Sequence, residues 1–421
     1  MKNKLGVIIG AITGNIVEYY DFGIYAVFAT IIGRLFFPGN SDGNIDIILV
    51  FTVFSIGFMM RPLGGLIFGY IGDRFGRKRA LIISISGMSL STLGIGLLPT
   101  YESIGLLSPI ILVLIRMIQG LCIGGESTGS AIYIIEHMDN KKVSLMASLV
   151  MISNIMGTLI ANIIAMVVEI TIGIDDQTWR YCFFIGFAMG IISLCFRLKN
   201  EETPHFKQIK LSNDKSKQAP VTDIMQKKKY AVLTIFAIAS SATSITYLIR
   251  GYLGTFLIKS LGYSTDLALV YTIFTLSCLI ACFAVFGVLT DKFGTNKILN
   301  FGAFFTLIFI LPAWYLITHF QGAIQYIGLL LIAMMGAAMG SPAYPHAINT
   351  FPPQIRYSGV ALGWNLGNAA FGGTTPVICT ILFDRFGLMA PAFYLIFTSS
   401  IFIGLRCIVG LYMRKLKMRR F

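Results

Sequence analysis

Glu18 and Asp21 stand three positions apart inside an apolar stretch that runs from about residue 6 to residue 37. On a helix this spacing puts both carboxyl groups on one face, and Tyr25 extends that face by another turn. Carboxyl groups withheld from water can hold a proton and give it up again, the more so when two share a site. The alternative is a structural pair that hydrogen-bonds neighbouring helices. A second polar set, Arg116, Gln119 and Glu126, lies in another apolar stretch. Gln119 and Glu126 are separated by nearly two turns and share a face, with Arg116 one turn earlier. A guanidinium, an amide and a carboxylate so placed can grip a carboxylate or a zwitterion and relay a proton, or form a polar seam satisfied within its own surroundings. Arg250, near Tyr247 and Tyr252, either binds an anion or offsets a buried acid, or snorkels to the nearer interface. Trp364, Asn365 and Asn368 precede Pro376 and either line a cavity or pack. Each charge at bilayer depth costs about 2.5–3.5 kcal/mol on insertion scales, so each requires a reason.

The elements that must position these residues are membrane-length helices. The 421 residues are 56% hydrophobic and only 12% charged, about half the charged fraction of a soluble domain, with a mean hydropathy of +0.77. A spanning helix needs about 20 apolar residues. Twelve such stretches occur, at about 6–37, 45–71, 80–98, 107–136, 145–170, 180–198, 230–258, 267–290, 297–317, 323–347, 357–383 and 390–413. Pro342 and Pro345 are expected to break the tenth, and Pro376 to kink the eleventh. The first stretch is too long and too polar for a cleaved signal. Residues 199–229, rich in Lys, Asp, Ser and Gln, read as a solvated linker. The expected organisation is a six-helix half at 1–198, the linker at 199–229 and a second six-helix half at 230–421.

The net charge of +14 gathers in alternate connections, such as Arg74 to Arg79, Lys141 and Lys142, Lys292 and Lys297, and Arg414 to Arg420. This is the positive-inside pattern, not a nucleic-acid face, and it places both termini in the cytoplasm. The seven cysteines form no C-x-x-C pair, so disulfides and zinc are not expected.

The chain also repeats itself. Gly69, Asp73, Arg74, Phe75, Gly76 and Arg79 have counterparts in Gly287, Asp291, Lys292, Phe293, Gly294 and Lys297, at one constant offset. Matching loops after the second and eighth spans indicate two parallel repeats about an axis along the membrane normal. The bland reading is a basic anchor plus a turn. It accounts for Arg77, Lys78 and Arg79 but not for the repeated glycine–acid spacing, which fits a latch between halves.

The first copy resembles the G-x-x-x-D-R-x-G-R-[KR] loop of the major facilitator superfamily. Further segments are similar to its metabolite:proton symporter family: Gly14-Asn15 through Tyr25, Arg61-Pro62 through Gly69, Gln119-Gly120 through Gly129, and Phe351-Pro352 through Gly359. Within that family, Glu201 to Phe206 and Ile355 to Ser358 are most like carriers of proline and glycine betaine. Two departures stand out. The osmosensory members carry a long C-terminal coiled coil, whereas this sequence ends in a short basic tail, and Arg250 stands where those carriers are expected to be apolar. The resemblance implies an all-helical fold of twelve spans and proton symport of a small polar metabolite by alternating access. Proton coupling then falls to Glu18, Asp21 and Glu126. Solute contacts fall to Tyr25, Arg116, Gln119, Tyr247, Arg250, Trp364, Asn365 and Asn368. Gating falls to Gly69, Asp73, Arg74, Gly76, Arg77 and Asp291. Arg250 keeps a di- or tricarboxylate such as 2-oxoglutarate as the alternative solute.

No catalytic cluster, P-loop, metal set or nucleophile triad is present, so an enzyme is not expected. Cofactors are not expected beyond the proton gradient. A bacterial-type inner membrane, a bilayer surround and a functional monomer are expected, with no nucleic-acid partner.

Overall fold

The computed structural model describes residues 2–38, 45–75, 77–137, 143–173, 175–199, 221–351 and 356–418. Of the residues singled out above, Gly69, Asp73, Arg74, Gly76, Arg77 and Glu126 lie outside the described residues or have side chains that do. Among the described residues the regular elements are all helices. Eleven are long and apolar enough to cross a membrane, and a bent pair supplies a twelfth span.

The spans are numbered α1 to α12. α1 is Lys2–Val27 continued by Ala29–Phe36, α2 is Ile45–Phe75, α3 is Arg77–Leu97 and α4 is Leu107–His137. α5 is Val143–Ile172 and α6 is Trp179–Lys199. α7 runs through Val221–Tyr247, a π-turn at Leu248–Tyr252 and Leu253–Lys259. α8 is Thr265–Phe293, α9 is Thr295–His319 and α10 is Ala323–Gly340 continued by Ala343–Thr350. α11 runs through Arg356–Gly367, a π-turn at Asn368–Gly372 and Thr375–Phe386, and α12 is Ala390–Met418.

Hydropathy places these spans well, and the differences are local. The first stretch is not one straight helix, because it bends by 64° at Phe28. No proline or glycine stands at that position, so composition carries no sign of the bend. Beyond it, Arg34 forms an ion pair with Asp176 in the α5–α6 connection, more specific than a simple interfacial anchor. Helix α7 starts at Val221, inside the segment read as linker, because helix propensity continues past the end of the apolar run. The tenth span breaks at Ser341–Pro342, as its prolines require.

Close packing within the first half depends on glycines, Gly120 and Gly124 among them. A Cβ at Gly120 would collide with the carbonyl oxygen of Gly57, and one at Gly124 with that of Arg61. α2 and α4 therefore cross backbone to backbone, as small residues allow in lipid, where van der Waals contact replaces the hydrophobic drive. In the second half, Gly363 and Gly367 of α11 also approach α7, less closely.

The halves meet along α5 and α8, and along α2 and α11. Asp291, at the end of α8, accepts hydrogen bonds from the backbone N–H of Ser144 (2.9 Å) and of Leu145 (3.1 Å). A carboxylate at the N-terminus of α5 satisfies otherwise unpaired donors and complements the helix dipole. Ser55 of α2 donates to the carbonyl of Gly373 (2.8 Å), and Asn365 of α11 to that of Gly124 (3.4 Å). Asp291→Asn keeps the shape of the α5 cap but removes its charge. The contact should then open about two- to fivefold more often, measurable as a longer distance between spin labels at the ends of α5 and α8. An unchanged distance distribution would remove Asp291 from the gate.

Candidate functional site

Two polar clusters arise from these helices, one inside the first half and one between the halves. The first surrounds Asp21, which is 1% exposed. Its carboxylate accepts from Thr92 of α3 (2.8 Å), from Arg116 Nη1 (3.1 Å) and from Gln119 Nε2 (2.8 Å). The Arg116 guanidinium lies 3.7 Å from the Tyr25 ring centre, and the Tyr25 hydroxyl donates to the carbonyl of Val50. Three donors, one of them a cation, account for one buried carboxylate, which is the condition for keeping a charge at this depth.

The same helix face carries Glu18, 0% exposed and 3.7 Å from Arg61 Nη2 of α2. Arg61 was not singled out from the sequence beyond its place in the Arg61-Pro62 segment. An arginine in an apolar span is itself a signal, but its partner sits on another helix and no spacing reveals it.

The second cluster lines a cavity between the halves. Tyr19 of α1 and Met151, Asn154 and Ile155 of α5 form one side. Ala242, Thr243, Thr246, Tyr247 and Arg250 of α7, Phe283 of α8, Gly340 and Tyr344 of α10, and Trp364 and Asn368 of α11 form the other. The Arg250 guanidinium stacks on Tyr247 at 4.3 Å and on Tyr19 at 4.8 Å. Its Nε and Nη1, the Tyr247 hydroxyl and Asn368 Oδ1 are buried without a hydrogen-bond partner among the described residues. Groups of this kind are normally satisfied, and four of them line this one cavity. Arg250 and Asn368 belong to the π-turns of α7 and α11, a geometry often found at functional sites.

Of the solute-contact residues expected from the sequence, Tyr247, Arg250, Trp364 and Asn368 therefore line the cavity. Tyr25, Arg116 and Gln119 do not, being engaged around Asp21. Asn365 lies outside the lining and reaches towards α4. Tyr344, which stacks on Trp364 with ring centres 4.6 Å apart, was not anticipated; only its place between Pro342 and Pro345 hinted at it.

Two helical halves enclosing a polar, aromatic cavity with seams on either side define a secondary transporter. The sequence matches the profile of the Major Facilitator Superfamily over residues 11–376, and the chain belongs to that family. The proline/betaine transporter of Escherichia coli (strain K12) is 31% identical over 406 residues, covering 94% of this chain and 81% of that protein. The glycine betaine/proline/ectoine/pipecolic acid transporter OusA of Dickeya dadantii (strain 3937) is 32% identical over 422 residues, covering 97% and 83%. Among solved structures, the proton:xylose symporter XylE bound to 6-bromo-6-deoxy-D-glucose superposes with a TM-score of 0.78 at 18% identity, covering 98% of this chain and 96% of XylE. That likeness shows the fold. The chain is a multi-pass membrane transporter of small solutes and not an enzyme.

Proposed function

We propose that this transporter moves a small zwitterion of the proline or glycine betaine type together with a proton, by alternating access between its halves. The observation that carries the reading is Arg250. Its unpartnered donors point to a carboxylate, and the stacked faces of Tyr344 and Trp364 offer a surface for an ammonium group. A zwitterion has both groups on one small frame. The transported solutes in the names of the 31–32% identical relatives have this chemistry, and those relatives give the dicarboxylate alternative no support. Tyr247, Arg250, Trp364 and Asn368 are assigned to the solute. Tyr25, Arg116 and Gln119 are reassigned to hold Asp21. Glu18, Asp21 and Glu126 are the proton-coupling acids.

The charge pattern of the connections supports cytoplasmic termini, with the Asp291 contact on the cytoplasmic side, and the bacterial relatives support an inner membrane. Lining of the cavity by a single chain supports a monomeric functional unit, with the proton gradient as the energy source. Purified protein in proteoliposomes should accumulate labelled proline or glycine betaine under an imposed proton gradient, and a protonophore should abolish the accumulation. Uptake of 2-oxoglutarate alone would transfer the assignment to organic acids. Absence of uptake of all three would overturn the solute reading.

A further inference from the structure

Two buried acid–base pairs among the described residues of the first half are built differently. Asp21 accepts from Thr92, Arg116 and Gln119. The Glu18–Arg61 pair is longer, at 3.7 Å, and Arg61 Nε and Nη2 have no hydrogen-bond partner among the described residues. Tyr19 hydrogen-bonds the Arg61 side chain, and aromatic faces cover it. Its guanidinium lies 3.9 Å from the Phe58 ring centre and 5.0 Å from that of Phe22. Attraction by ring quadrupoles holds a cation without fixing it to one oxygen.

The Glu18–Arg61 pair also lies beside the cavity. The Phe58 ring meets Tyr247 of the other half edge-on, with ring centres 4.9 Å apart. Tyr19 stands between the two cations, 6.0 Å from Arg61 and 4.8 Å from Arg250. Tyr19 and Tyr247 both line the cavity.

Resting on the solute and coupling reading above, we propose that Arg61 is the positioning residue that couples proton and solute. It holds Glu18 as a carboxylate while the cavity is empty. It then presents an unneutralised charge to the incoming solute carboxylate once Glu18 has taken up a proton. A proton from the outer aqueous phase binds a Glu18 carboxylate oxygen, giving the neutral acid and leaving Arg61 without its counter-charge. A carboxylate arriving beside Arg250 offsets part of the added positive charge across Tyr19. Each binding event therefore strengthens the other, by the same factor in both directions. After the solute leaves on the far side, the proton passes from Glu18 to the aqueous phase on that side, favoured by the Arg61 charge, and the ion pair re-forms. The titratable and charged groups facing the pair are Tyr19 on α1, Tyr247 on α7 and Tyr344 on α10, with Asp21 and Arg116 behind it. Glu126 of α4 has a side chain outside the described residues.

The test separates coupling from scaffold. Arg61→Gln, Arg61→Lys and wild type are compared in proteoliposomes for two activities: counterflow of labelled proline against unlabelled proline, and accumulation driven by a proton gradient. Without a cation beside it, Glu18 remains protonated through the cycle, because an uncompensated buried charge neutralises itself. Arg61→Gln should therefore still show counterflow, weakened by loss of the Arg61 charge, while its accumulation ratio falls to that of protonophore-treated vesicles. Arg61→Lys should still accumulate proline, with an altered pH profile. Gradient-driven accumulation by Arg61→Gln at the wild-type level would overturn the proposal. So would loss of counterflow in both variants at wild-type abundance, which would make Arg61 part of the scaffold. If Arg61→Gln does not reach the membrane, Arg61→Lys decides by its pH profile: an unchanged one overturns the proposal. Wild-type protein that exchanges neither proline nor glycine betaine would instead overturn the solute reading.

Discussion

Replacing Arg250 by alanine should raise the KM for proline or betaine about 10- to 100-fold, the range for losing a charge-assisted hydrogen bond to a carboxylate. Its thermal stability should hardly change. Arg250 Nε and Nη1 have no hydrogen-bond partner among the described residues, so their removal costs the fold little and the solute much. Arg250→Lys keeps the charge but loses the planar stack on Tyr247 and Tyr19, and its KM should fall between the two. Uptake kinetics and a melting curve on the same samples check both halves of the expectation. A KM unchanged in Arg250→Ala would sink the zwitterion site as drawn. A large drop in melting temperature would make Arg250 a packing residue.

The second large effect is expected on folding. Gly120→Val puts a branched side chain where α4 already touches the carbonyl of Gly57. Overpacking costs about 1–3 kcal/mol when side chains can give way, and a backbone carbonyl in the middle of a helix gives way less easily. Folded protein should be scarce, as read from a sharp monodisperse peak in size-exclusion chromatography. Gly404→Ala is the control, because nothing lies within 4 Å of a Cβ at that position in α12, and its peak should match wild type. Equal peaks from both variants would mean that α2 and α4 pack less closely than described.

Sequence made the spans legible because membrane-length apolar runs report on lipid directly. The break at Pro342 was legible because proline removes a backbone donor. The bend at Phe28 and the two π-turns had no such marker, since each arises where ordinary residues meet neighbours from distant parts of the chain. The candidate site divides in the same way. The spacing of Glu18 and Asp21, and of Arg116 and Gln119, correctly put polar groups on single helix faces. It could not say that Arg116 and Gln119 turn towards Asp21 and away from the cavity, because which face meets which is a property of helix packing. Arg61 and Tyr344 passed unremarked for the same reason, as their significance lies in partners on α1 and α11.

The three tryptophans occupy unlike surroundings. The Trp179 indole donates to the carbonyl of Asp176, and the Trp314 indole to that of Leu388, so each is fastened within one half. Trp364 alone lines the cavity, face to face with Tyr344. Two emitters thus supply a steady optical background, and the third sits against the occupant. The unlabelled protein carries its own fluorescence gauge of cavity occupancy, and Trp364→Phe would switch that gauge off while leaving the background in place.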